Sequence, residues 1–249
     1  MQDRYAGDVG DFGKFALLRA IESQGLTVGV NWYLAKTLSS ETHDDGKYRI
    51  PTQYEKLDLG LSAALNQIFD LGEARSVQAL ENAHLLTSDL FVNEAVPREI
   101  DLREAWHQKA LIKLADCDIV FLDPDNGLNV KSVKPGSPKS PKYVWLHEVS
   151  DYIASGKSVI FYNHRPRKKA EAYFAENAAR FAADPVLGGK QFCVVTFPRR
   201  SIRDYFIIPA SQAHEEKVCK AIQNLLEGPF GNSDFCFLQP LLHGFTEYR

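Results

Sequence analysis

The sequence predicts an α/β domain: a mostly parallel sheet with helices on both faces and an antiparallel hairpin near the C-terminus. Three observations predict it. Short apolar runs at 28–34, 119–122 and 158–162 are bounded by polar residues, as strands buried on both faces are. Longer amphipathic segments separate these runs, and strands alternating with helices argue for parallel pairing. Two further strand patterns, 192–197 and 204–208, are joined by the basic turn Arg199-Arg200, close enough to pair antiparallel. A chain of 249 residues suits one large domain, so residues 1–249 are read as a single unit.

In chain order, residues 5–13 are rich in Gly and Asp, and an amphipathic helix follows over 12–21 with Asp11 as its N-cap. The strand at 28–34 runs into a polar loop, 35–49, that holds Glu41, His43, Asp44, Asp45 and Gly46. Helical patterns cover about 52–69 and 73–83, and 84–95 fits neither period. A helix over 101–115 leads into the strand at 119–122. Pro124 cannot donate to a sheet ladder, so that strand ends before it. Residues 131–142 carry three prolines and three lysines in the run Val133 to Lys142, which reads as a mobile surface loop or lid near 129–142. Helices at 143–154, 167–183 and 212–226 and a last strand at 235–238 complete the pattern.

Composition narrows the function classes. Hydrophobic residues make up 45% and charged residues 24%, the balance of an ordinary globular protein rather than a disordered one. The net charge of -3 provides no global basic field, so a nucleic-acid partner needs a local patch. Cys117, Cys193, Cys219 and Cys236 form no CxxC pair, which favours reduced thiols over zinc or disulfides. No apolar run approaches a membrane span, and the polar start Met1-Gln2-Asp3-Arg4 lacks a signal-peptide core. The expectation is a cytoplasmic protein with no membrane partner.

The candidate chemistry lies at strand ends, where open α/β sheets bind their ligands. Asp123, Pro124, Asp125 and Asn126 follow the apolar run 119–122, and this acidic loop is the first choice for a catalytic centre. A turn-initiating Asp-Pro is the bland account of Asp123 alone; the companions Asp125 and Asn126 favour function. His164 follows the strand at 158–162 and is a candidate base, metal ligand or phosphate contact. Arg165, Arg167, Lys168 and Lys169 form the densest basic cluster of the chain, either a solvated helix face or a phosphate contact. Gly7, Gly10 and Gly13 recur every third residue, but no strand precedes them, so they are no dinucleotide fingerprint. There is no phosphate-binding P-loop and no G-x-S-x-G elbow, and the acidic loop lacks EF-hand spacing.

Two segments together carry a family resemblance. The run Tyr5-Ala6-Gly7-Asp8-Val9-Gly10-Asp11-Phe12-Gly13-Lys14-Phe15 resembles the N-terminal signature of the bacterial large-subunit rRNA adenine-N6 methyltransferases. Asp123-Pro124-Asp125-Asn126 sits where Rossmann-like amino-methyltransferases carry an Asp/Asn-Pro-Pro-aromatic motif. The resemblance implies a Rossmann-like fold and S-adenosylmethionine as cofactor, with Tyr5, Gly7, Asp11, Lys14 and Asn31 near it. It also implies an exocyclic amine of nucleic acid, adenine favoured, as substrate. Asp123 and the Pro124 carbonyl would then accept the amine protons, with Tyr143, Trp145, Arg165, Arg167 and Lys168 contacting substrate. The sequence departs from the motif at Asp125, at Asn126, and in the absence of a Gly-x-Gly turn after 28–34.

Two other readings stay open. Asp44, Asp45, Asp123 and Asp125, with His164, are the groups that would hold Mg²⁺ or Mn²⁺ in a metal-dependent nuclease or phosphohydrolase. A non-catalytic nucleotide-binding module needs none of these groups to share a pocket. Oligomeric state is not legible in the sequence.

Overall fold

The computed structural model describes residues 1–36, 46–199, 201–233 and 235–239, so Asp44 and Asp45 lie outside the described residues. The strands are β1 (Val28–Asn31), β2 (Phe91–Val92), β3 (Ile119–Leu122), β4 (Gly127–Leu128), β5 (Tyr143–Val144), β6 (Ser158–His164), β7 (Cys193–Arg199), β8 (Ser201–Ile208) and β9 (Phe237–Leu238). The helices are α1 (Val9–Glu22), α2 (Thr52–Glu55), α3 (Leu59–Phe69), α4 (Val77–Asn82), α5 (Ile100–Lys113), α6 (Leu146–Ala154), α7 (Ala170–Ala182), α8 (Gln212–Glu227) and α9 (Pro229–Asn232).

The main sheet has the order β2-β1-β3-β6-β8-β7-β9. Strands β2, β1, β3 and β6 are parallel, whereas β8 runs antiparallel to both β6 and β7. The α/β fold is therefore the one expected, with one refinement. The second strand of the C-terminal hairpin lies inside the sheet, between β6 and β7. Strands β4 and β5 form a separate parallel pair at the strand ends.

Alternation across the pleat assigns each residue to a layer. Ile119 and Phe121 of β3 join Ile160, Tyr205 and Ile207 under α1, α3 and α8. Val120 and Leu122 join Phe161, Phe206 and Ile208 under α5, α6 and α7. Helices thus cover both faces, which is why β3 is apolar at every position. Full burial contributes about 1.5–3 kcal/mol for each such side chain, so a polar residue anywhere in β3 breaks one layer.

Several boundaries moved for local reasons. Helix α1 begins at Val9 because Asp8, not Asp11, is the N-cap; its carboxylate accepts from the Gly10 and Asp11 amides. Asp58 caps α3 through the Leu61 amide, so the predicted helix 52–69 is two helices. Strand β1 stops at Asn31, two residues before Tyr33, which has a positive φ of 45°. Residues 143–154 begin as strand β5 before turning into α6. The ambiguous stretch 84–95 holds the short strand β2. The proline-rich segment before β5 is tied to the body: Arg98 donates to the Gly136 carbonyl, and buried Arg103 donates to the Ser140 and Tyr143 carbonyls. Arg103 also pairs with Glu148 at 2.6 Å. Among the described residues, no helix is long and apolar enough to cross a membrane.

Candidate active site

From β1 the chain crosses to β2 on one side and then to β3 on the other, so the order reverses between β1 and β3. Such a switch point opens a crevice at the carboxyl ends of its strands. Asp123 stands at that end of β3, buried, its amide donating to the Asn31 carbonyl of β1.

Lys14 comes to the same point from α1. Its ammonium lies 2.6 Å from Asp123 Oδ2 and 2.5 Å from Asp11 Oδ1, within a buried cluster. It also sits over the rings of Trp32 and Phe121, 5.3 and 5.9 Å from their centroids. One cation serves two carboxylates here, and Asp8 adds a third nearby charge. Burial pushes the Asp11 carboxyl up to about 6, Lys14 works against that rise, and Asp8 adds to it. For Lys14, burial works against the charge, but Asp11 and Asp123 outweigh it and hold the ammonium above the usual lysine range.

A cavity of about 540 Å³ opens beside this cluster. Its walls include Asp8, Asp11, Lys14, Asp123, Pro124, Asp125, Asn126 and His164, together with Tyr5, Tyr48, Tyr162, Arg203 and Tyr205. The sheet explains the last group. Tyr162 pairs with Tyr205 and His164 with Arg203 across β6 and β8, so all four stand on the α1 side of the sheet at one rim. Arg203 lies over α1 so closely that a Cβ at Gly10 would meet its Nε at 2.7 Å. Burial opposes the Arg203 charge, yet Asp8 and the tyrosines keep it above its ordinary range.

The acidic loop is fixed by the chain around it. Asp125 Oδ1 lies 3.1 Å from the Met1 amine, and Asp125 Oδ2 lies 3.6 Å from Lys142 Nζ and accepts from Gln2 at 2.5 Å. Burial opposes its charge, but the Met1 amine, Gln2 and Lys142 hold the carboxyl below the usual range. The Asn126 amide donates to the Lys142 carbonyl, and the Asn126 carbonyl accepts from the His164 amide at 3.3 Å.

All five residues chosen as catalytic from the sequence therefore line one cavity, and so do Tyr5, Asp11 and Lys14. The rest do not. Gly7 packs against α3, with a positive φ of 80° and no room for a Cβ beside the Leu65 carbonyl. Asn31 is wholly buried, bonded to Tyr152 and to the Tyr33 amide. Trp145 precedes α6 with its ring 5.7 Å from the Arg103 guanidinium. Arg165 grips buried Asp204 with two nitrogens, at 2.6 and 2.8 Å, and so belongs to the fold. Arg167 is exposed and lines neither cavity, and Lys168 is paired with Glu176. Tyr143 and Lys168 line a second, smaller cavity. Among the described residues, no three His, Cys, Asp or Glu side chains are grouped to hold a metal ion. Sequence reasoning missed Arg203, Tyr162 and Tyr205; the signal was their spacing of two along strands, polar only at the end that reaches the rim.

Comparison with known proteins finds no matching family model, no matching curated protein and no matching solved structure.

Proposed function

We propose that this protein is a Rossmann-like, S-adenosylmethionine-dependent methyltransferase acting on an exocyclic amine of nucleic acid, adenine favoured. One observation carries the reading. The two segments that resemble the methyltransferases, 109 residues apart, meet in the Lys14–Asp123 contact at the switch point.

The residues present suit such a cofactor. A sulfonium amino acid carries both signs of charge, and the cavity offers carboxylates and tyrosine faces for the cationic parts and Arg203 for the carboxylate. When bound, S-adenosylmethionine supplies an electrophilic methyl group. The chain's own task is orientation and charge placement. Lys14 engages Asp123 Oδ2 and leaves Oδ1 to accept one amine proton, with the Pro124 carbonyl as the second acceptor. Both bonds fix the plane of the amine and raise the density of its lone pair. Asn126 stands where the family motif has its aromatic residue, so the rings left to face the base are those of Tyr48 and Tyr162, which line the cavity. The cavity lies within the roughly 300–1,000 Å³ typical of small-ligand sites.

Titration calorimetry with S-adenosylmethionine and S-adenosylhomocysteine tests the cofactor. Mass spectrometry of adenine oligonucleotides after incubation tests transfer, with Asp123→Ala as the inactive control. No binding up to millimolar ligand would sink the proposal. Divalent-dependent phosphodiester hydrolysis is the second reading: Asp8, Asp11, Asp123 and Asp125 line one cavity, and a metal would have to draw them closer together than they stand. Cleavage of an oligonucleotide with added Mg²⁺ or Mn²⁺, abolished by Asp125→Ala, would put that reading first.

A further inference from the structure

The second cavity, about 210 Å³, lies on the opposite face of the sheet rim, between β4 and α7. Asn126 and His164 line both cavities, so the two spaces are neighbours across one ridge. The main-chain bond between those two residues holds the ridge. The volume is below the roughly 300 Å³ at which whole-ligand pockets begin, and therefore suits one unit of a longer ligand whose other unit sits in the main cavity.

Its walls have a matching chemistry. Tyr143 is half-buried and offers a ring, while Leu128 and Val130 supply apolar surface, Val130 being 44% exposed. Arg180 enters from α7. Its guanidinium donates to Asn129 Oδ1 at 2.7 Å and has no carboxylate within ion-pair distance among the described residues. Lys168 is also present, and Glu176, the one carboxylate lining the cavity among the described residues, is engaged by it. With Arg180 and Lys168 against Glu176, the cavity holds a surplus of one positive charge, and burial weighs on the Arg180 cation more than Glu176 supports it. A ring, an apolar strip and a half-buried guanidinium are what a stacked base and its phosphate require.

We infer that this second cavity is the subsite for the nucleotide adjoining the target, with Arg180 on the phosphate between the two units and Tyr143 against the neighbouring base. The inference rests on the nucleic-acid reading above. It makes the substrate a single-stranded or unstacked segment, because the ridge separates two consecutive units.

Binding of AMP and of a 5′-phosphorylated adenine dinucleotide is compared by calorimetry in the wild type, Arg180→Gln and Val130→Glu. The wild type is expected to hold the dinucleotide about tenfold or more tightly than AMP, the worth of one charge-assisted contact. Both variants should lose that gain and keep the AMP affinity. For a longer oligonucleotide, Arg180→Gln should flatten the log–log salt slope by about 0.7. Equal losses for AMP and dinucleotide, or unchanged dinucleotide affinity in Val130→Glu, overturn the subsite. Val130 is exposed, so its variant stays informative if Arg180→Gln folds poorly. Calorimetry with S-adenosylmethionine separates the two proposals. Cofactor binding without a dinucleotide preference sinks the subsite alone; an Arg180-dependent preference without cofactor binding sinks methyl transfer alone.

Discussion

Lys14→Met removes the only positive charge in contact with both Asp11 and Asp123 among the described residues, while keeping the length and apolar stem of the side chain. The loss has a ceiling for each carboxylate, because one left without its cation can always take up a proton. Asp123 carries most of it, since Asp11 is already shifted up to about 6. From an ordinary value of 3.8, that protonation costs about 1.4 kcal/mol per pH unit, hence about 4 kcal/mol at pH 7 and about 2 kcal/mol at pH 5.5. At roughly 2–4 °C per kcal/mol for a chain of this size, Tm should fall by about 8–16 °C at pH 7 and about 4–8 °C at pH 5.5. The wild type carries the same sign in weaker form. Asp11 titrates at about 6 in the folded chain against 3.8 otherwise, so the folded state binds more protons between those values. Its contribution to stability is full below pH 3.8 and is lost as pH rises through 6. Asp125, held low, acts in the opposite sense and costs stability only as pH falls below the ordinary carboxylate range. Thermal unfolding followed by circular dichroism at pH 5.5 and 7 reads all of this. A Tm drop of the same size at both pH values would refute the charge argument, and a drop under about 3 °C at pH 7 would show that the cluster is not coupled as its distances imply.

Two further outcomes separate fold from site. Arg165→Met should cost about 3–5 kcal/mol, because it strands the fully buried Asp204 carboxylate with the Thr196 hydroxyl, whereas exposed Arg167→Met should stay within about 0.5 kcal/mol; urea midpoints measure both, and equal shifts would contradict the assignment. Gly127→Ala should lose roughly 1–3 kcal/mol in the same assay from its φ of 101° alone. Its Cβ would also meet Asn163 Oδ1 at 2.0 Å, which breaks the bond that Asn163 accepts from the Leu128 amide and shifts the ridge beside Asn126. A stability within 0.5 kcal/mol of wild type would mean that the loop relaxes freely.

How much of this was legible in the chain depends on the range of the interactions involved. Strand β3 was readable because burial on two faces leaves a local mark, four apolar residues closed by charge and proline. The acidic loop was readable for the same reason. The α1 boundary was missed by three residues because two aspartates compete for the cap, and only the positions of the Gly10 and Asp11 amides decide for Asp8. The basic run 165–169 does not act as one patch, because charge density says nothing about partners. Arg165 is spoken for by Asp204, 39 residues on, and Lys168 by Glu176. Arg203 and Tyr205 were hidden because a strand placed inside the sheet, rather than at its edge, cannot be told from local pattern. The resemblance put Lys14 near Asp123; the actual contact needed the fold.

The same long-range closure sets an order in time. Strands β7 and β8 are neighbours in the chain and can pair as soon as both exist, since local contacts form first. Lys14 must wait for Asp123, 109 residues later, which at about 5–20 residues per second of synthesis is a delay of roughly 5–20 seconds. The cavity waits longer still, until β8 delivers Arg203 and Tyr205 to the rim. A nascent chain therefore carries helix α1, with Asp11, Lys14 and its cap Asp8, long before Asp123 and Arg203 arrive, and any ligand-dependent gain in stability can act only once nearly the whole sheet has been made.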